Sequence, residues 1–82
     1  MTEKIRQILL DHARLNKPVA GLADDGDLYQ AGMTSHASVN VMLALEGTFE
    51  VEFPDRMLKR SVFESIAAIR TAIEELTAGR AS

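Results

Sequence analysis

Ser35 and His36 stand side by side in Asp27-Leu28-Tyr29-Gln30-Ala31-Gly32-Met33-Thr34-Ser35-His36, between a glycine-containing turn and a run of helix-compatible residues. A serine there has two readings. As an N-cap, its hydroxyl accepts a hydrogen bond from a backbone N–H that the helix leaves unpaired, an interaction worth about 1 kcal/mol. As an attachment point, it is an exposed hydroxyl at the positive end of a helix, where the dipole and the unpaired donors favour a phosphodiester. The second reading makes Ser35 a place to hang a phosphate-linked prosthetic group. The local pattern leaves both open.

A Ser–His catalytic pair is the third possibility, and the spacing opposes it. Neighbouring helical residues point about 100° apart. A nucleophile needs a base within reach and a third group to orient that base, and no triad geometry follows from this sequence. No catalytic residue is assigned, and the chain reads as a non-enzyme. His36 is better placed as a surface residue touching an attached group or a partner, where an imidazole could tune docking near neutral pH. His12 is expected half-buried on the first helix. With no cysteine there is no thiolate nucleophile, disulfide or thiolate metal site. The run Asp24-Asp25-Gly26-Asp27 invites calcium. Aligned on Gly26 as the EF-hand glycine, however, the first, third and twelfth positions become Gly21, Ala23 and Gly32, which fails the loop pattern. No metal site is assigned, and the acidic run reads as a solvated loop.

The elements that would position Ser35 can be read from hydrophobic spacing. Ile5, Ile8, Leu9, His12 and Leu15 share a helical face and predict a first helix over about residues 3–15, ended by Asn16, Lys17 and Pro18. A long connection runs from about Asn16 to Thr34. Loops of that length are usually functional or packed by their own side chains, and Val19, Leu22, Leu28 and Met33 are the residues that would pin this one. A second helix begins at Ser35 and stops near Glu50, with Val39, Met42, Leu43, Leu45, Glu46 and Phe49 as a broad apolar face. Its stretch from Ala37 to Ala44 carries no charge. A short third helix is expected over about Arg56 to Arg60. The last helix starts near Ser65, an N-cap type. It repeats Ile66, Ile69, Ile73 and Leu76 on one face and stops at Gly79. Met33 and Met42 suit either core filling or a shallow docking surface beside Ser35.

This is an all-α bundle: three main helices, one short helix and a long first loop. The chain of 82 residues suits one domain over 1–82, with about 79–82 as a flexible tail. It is 46% hydrophobic and 26% charged, the composition of a folded globular chain. Its net charge is −3, the wrong sign for binding phosphate backbones, so nucleic acid is not an expected partner. The segment Ala31 to Val39 resembles the turn and recognition helix of a DNA-binding helix-turn-helix. That second helix lacks Lys and Arg, and its would-be first helix contains Asp24, Asp25, Gly26 and Asp27. The first residues alternate charge and apolar character, unlike a signal peptide, and no run reaches the roughly 18 apolar residues of a membrane helix. A cytoplasmic monomer without membrane contact is the default expectation.

In order, and over nearly the whole length, these features resemble the acyl and peptidyl carrier protein family. The family's signature is a Leu, then Gly, any residue and Asp-Ser-Leu, an apolar helix ending in Glu and Phe, and a Pro near an acidic residue. Leu28 and Gly32 match the approach, and Ser35 falls where the family carries its arm. Val39 and Leu43 continue the helix, Glu46 and Phe49 match its end, and Val51, Phe53, Pro54 and Asp55 match the segment after it. Phe63-Glu64-Ser65-Ile66 resembles the way into the last helix. The resemblance implies a four-helix carrier-protein bundle with 4′-phosphopantetheine, supplied by coenzyme A, attached covalently to Ser35. It implies a thioester-bound cargo and, as partners, a phosphopantetheinyl transferase, a cargo-loading ligase and a downstream acceptor enzyme.

The departures narrow the reading. Thr34 replaces the family's Asp, and His36 replaces its Leu. The second helix carries only Glu46 and Glu50 as acidic residues, while Arg56, Lys59 and Arg60 make the following region basic. This is unlike the acidic recognition usual in fatty-acid synthesis and fits a specialised carrier with few partners. The chain is similar to stand-alone carriers charged with an amino acid by shortened relatives of class II aminoacyl-tRNA synthetases, which implies an aminoacyl cargo. An acyl carrier of a fatty-acid or polyketide-type pathway is the alternative, and an unmodified helical interaction domain is the more distant one. The expected partner surface comprises Thr34, His36, Val39 and Met42, with Arg56, Lys59 and Arg60.

Overall fold

The computed structural model describes residues 2–78; the predicted stop at Gly79 and the tail over 79–82 lie outside the described residues. Among the described residues there are four α-helices and no strand: α1 (Thr2–His12), α2 (Ser35–Phe49), α3 (Arg60–Phe63) and α4 (Ile66–Ala78), with 3-10 turns at Val19–Gly21 and Asp55–Met57. α1 packs against α2 and α4, and α3 packs against α4.

α1 ends sooner than its periodicity predicts. Arg14 takes a left-handed conformation, φ 53°, which stops the helix just after the Ala13 N–H has bonded the Leu9 carbonyl at 2.9 Å. The buried stripe is Ile5, Leu9 and Ala13, with Ile8 beside it. His12 therefore lies off that stripe and is exposed, not half-buried. Leu15 still packs against the core, from beyond the helix.

The connection is pinned where expected: Val19, Leu28 and Met33 are buried and Leu22 packs against them. Its polar fastening was not expected. Arg6 donates to the carbonyls of Val19 (2.8 Å) and Leu22 (2.9 Å) and pairs with the Asp24 carboxylate at 2.7 Å. The Asp24 carbonyl accepts from the Ala67 N–H at 2.8 Å, and the Leu28 N–H donates to Glu64 O at 2.7 Å. Asp27 accepts the N–H groups of Tyr29 and Gln30 in an Asx turn. Asp24 and Asp27 are thus structural rather than merely solvated. Residues 23–34 form turns and extended backbone rather than a helix, which removes the first helix of a helix-turn-helix.

In α2 the buried stripe is Ala37, Val41 and Leu45. Val39 and Leu43, expected within the apolar face, are 50% and 56% exposed. The helix is apolar on most sides, so its spacing did not mark which side faces the core. At its end, the Glu46 carboxylate accepts the Phe53 N–H at 2.9 Å, fastening the extended segment beyond it. The predicted short helix over Arg56 to Arg60 is replaced by the 3-10 turn and then α3. Lys59 between them is extended, φ −141° and ψ 158°, so Met57 and Phe63 enter the core from separate turns. The Phe63 ring meets that of Phe53 edge-on at 5.2 Å. Ser65 caps α4 through the Ala68 N–H at 3.0 Å, and Ile66, Ile69, Ala72 and Ile73 form its buried face. No helix among the described residues is long and apolar enough to cross a membrane.

Gly32 has φ +113°, and a Cβ there would stand 2.7 Å from Asn16 Nδ2 and 3.0 Å from the Asn16 backbone nitrogen. That backbone cannot retreat, because its N–H is bonded to Ala31 O at 2.7 Å. Gly32→Ala is expected to destabilise by more than about 1 kcal/mol, read as a lower urea midpoint with an unchanged slope.

Candidate functional site

The turn that leads into α2 is fixed before Ser35 is reached. Ala31 N–H bonds Asp27 O at 3.1 Å, Gly32 N–H bonds Tyr29 O at 3.1 Å, and Met33 N–H bonds Leu28 O at 3.0 Å. Leu28 and Met33 anchor both ends in the core. The chain then turns extended at Thr34, φ −85° and ψ 166°, whose hydroxyl accepts the Ala37 N–H at 3.0 Å. Thr34 is the N-cap, and Ser35 is the first helical residue.

This decides the cap reading of the serine. The capping oxygen belongs to Thr34, so Ser35 does not cap. Ser35 is exposed. Its carbonyl accepts the Ser38 hydroxyl at 2.7 Å, while its own hydroxyl has no hydrogen-bond partner among the described residues. His36 makes no hydrogen bond to it, so the pair has no nucleophile–base contact.

Ser35 opens onto a groove of about 340 Å³ between α2 and the α3 region. Ser38, Val39 and Met42 form the α2 side, and Leu58, Lys59, Arg60 and Phe63 form the other. Tyr29 closes it at the connection, with the Arg60 guanidinium carbon 4.2 Å from its ring centroid. Leu58 is 48% exposed. With Val39 and Leu43, one turn apart on α2, it presents apolar surface beside the hydroxyl. The lining includes two cations and no carboxylate.

Of the predicted surface, the structure brings Val39, Met42, Lys59 and Arg60 together beside Ser35. Thr34 is exposed, but its hydroxyl serves the helix. His36 is exposed one residue along α2 and does not line the groove. Arg56 turns away, pairing with Glu75 of α4 at 3.3 Å. Tyr29, Ser38, Leu58 and Phe63 were missed. Tyr29 lies inside the stretch that frames Ser35, and Leu58 immediately precedes the basic pair, so both had a local signal. The partnership of Phe63 and Ser38 with the groove depends on how α3 folds back. The site combines an exposed, unengaged hydroxyl with a mixed apolar and cationic groove. Chemically it can hold a phosphate-linked group and present it.

A family model described as a phosphopantetheine attachment site matches residues 3–73. The aminoacyl carrier protein of Agrobacterium fabrum is 44% identical over 80 residues, covering 98% of this chain and 96% of that protein. Among solved structures, similarity extends to a chain of the complex between an engineered Bradyrhizobium japonicum glycine:[carrier protein] ligase, a carrier protein from Agrobacterium tumefaciens and AMP. The identity is 46% and the TM-score 0.88, over 90% of this chain and 99% of that one. A solution structure of an Agrobacterium tumefaciens protein matches with 43% identity and a TM-score of 0.77, over 99% of this chain and 98% of that one.

Thr34→Ala removes the acceptor for the Ala37 N–H and is expected to cost about 1 kcal/mol, with Thr34→Ser restoring most of it. Thermal melting of the three proteins checks this; equal melting of Thr34→Ala and the parent would contradict the assignment of the cap.

Proposed function

The chain belongs to the phosphopantetheine attachment family of carrier proteins, and from that premise we propose that Ser35 bears its 4′-phosphopantetheine and that the cargo is an amino acid. The observation that carries the attachment reading is the division of labour at the head of α2. Thr34 satisfies the helix, which leaves the Ser35 hydroxyl exposed and uncommitted. The residues fit such a group: the hydroxyl can form the phosphodiester, the adjoining groove has cations for a phosphate, and apolar side chains face the less polar part of an arm. The aminoacyl cargo is supported by likeness to the Agrobacterium fabrum aminoacyl carrier protein and to the carrier crystallised with a glycine:[carrier protein] ligase.

As a carrier, the chain contributes position rather than catalysis. When bound, the arm supplies reach and a terminal thiol that holds the cargo as a thioester. Ser35 Oγ anchors it at a fixed point, because the Asx turn at Asp27 and the positive φ of Gly32 set the path into α2. Tethering raises the cargo's effective concentration at each docked partner. The partners proposed are a phosphopantetheinyl transferase, an amino-acid-loading ligase and an acceptor enzyme. Val39, Met42, Lys59 and Arg60, with His36 at the edge, form the surface they meet. Leu58 adds apolar area there, and Arg56, paired with Glu75, stands outside the groove.

The test is loading. Ser35→Ala and the parent, each treated with coenzyme A and a broad-specificity transferase, are incubated with ATP, glycine and the Bradyrhizobium japonicum ligase. The parent is expected to gain one glycyl mass that hydroxylamine removes, and Ser35→Ala to gain none while keeping its melting temperature. Cargo on Ser35→Ala would overturn the reading.

A further inference from the structure

Three cations of the described surface have an ion-pair partner. Arg6 pairs with Asp24, Arg56 with Glu75, and Arg70 approaches Glu74 at 3.9 Å. Lys4, Arg14 and Lys17 have none among the described residues, and neither do Lys59 and Arg60, which differ from those three in their place. Lys59 and Arg60 are adjacent and share a groove with the Ser35 hydroxyl and no carboxylate. In a chain of net charge −3, two neighbouring cations without an anion mark a place where negative charge is welcome.

Arg60 is also oriented. Its guanidinium lies over the Tyr29 ring at 4.2 Å, and the Tyr29 backbone is held by the Asp27 carboxylate at 2.9 Å. Stacking leaves the in-plane N–H donors of the guanidinium available, and two of them match two oxygens of a phosphate. Lys59 adds a mobile point charge from the extended residue next to it. Both are anchored through buried Met57 and Phe63 on either side.

We propose that Lys59 and Arg60 form a phosphate clasp: they bind the phosphodiester that joins the arm to Ser35 and turn the arm into the groove between α2 and α3. This rests on the reading that Ser35 bears the arm. The clasp selects a direction, since an arm leaving toward His36 would forgo both cations, whereas one in the groove passes over Val39, Met42 and Leu58. An exposed contact of this kind is weak, so it shifts the arm's population by no more than about fivefold, which keeps the arm available to partners. It weakens with added salt, because both cations are solvent-exposed.

The experiment uses the phosphopantetheinylated protein, parent and Lys59→Gln/Arg60→Gln, labelled with nitrogen-15. Intact mass with peptide mapping first establishes the arm on Ser35 in both, so that a negative spectrum counts against the clasp and not against the attachment. Amide spectra check that the double variant keeps its fold. In the parent, the Arg60 Nε–H resonance is expected to shift on attachment of the arm. Phosphorus-31 relaxation should report a phosphate tumbling with the protein, loosening as salt is added. In the double variant the phosphate should already be loose at low salt. An Arg60 resonance that is the same with and without the arm, together with phosphorus relaxation unchanged by the double substitution, would overturn the proposal.

Discussion

The guanidinium of Arg6 is the contact on which the position of Ser35 depends. The connection between α1 and α2 has little regular structure, so its backbone polar groups must find partners elsewhere. Arg6 takes two of its carbonyls and its Asp24 carboxylate at once, and the Asp24 carbonyl in turn receives an N–H from α4. One side chain thereby ties α1, the connection and the start of α4 together. Leu28, Ala31 and Met33 are then seated in the core, and the chain arrives at α2 from a fixed direction. A domain this small has little stability in reserve, so a connection held by one arginine and a few backbone bonds is a large share of its order.

From that fixed arrival the functional geometry arises by division of tasks. Gly32 makes the turn that a side chain would block against Asn16. Thr34 caps the helix, and Ser35, relieved of capping, stands exposed beside a groove whose other wall is the Leu58–Phe63 region. The hydroxyl's availability is thus a result of its neighbour's hydrogen bond. The same separation appears in the charges: Arg56 is spent on Glu75 of α4, while Lys59 and Arg60 face the serine.

Much of this was legible from residue order. The periodicity of Ile66, Ile69 and Ile73 marked α4 and its buried face, and the apolar residues of the connection identified their own anchors. Ser35 drew notice because a glycine turn meets a helix there, and the family resemblance singled it out as the attachment point. The expectations that failed did so for physical reasons. α2 is apolar on most sides, so sequence could not say that Val41 is buried and Val39 exposed. His12 is exposed because it lies off the Ile5, Leu9 and Ala13 stripe, and α1 ends early at the left-handed Arg14, a backbone choice that hydrophobic spacing does not encode. The short helix was misplaced because tertiary anchoring by Met57 and Phe63 decides where the backbone bends. The capping assignment turns on one residue's ψ, and Tyr29 beneath Arg60 is a contact between residues distant in sequence.

The central claim is that Ser35, and no other hydroxyl, is where the prosthetic group attaches. Intact mass before and after incubation with coenzyme A and a broad-specificity phosphopantetheinyl transferase, followed by peptide mapping, tests it most directly. The account predicts one added phosphopantetheine, found on the peptide containing Ser35. A folded chain that gains no mass with several transferases, or gains it at another residue, would contradict it.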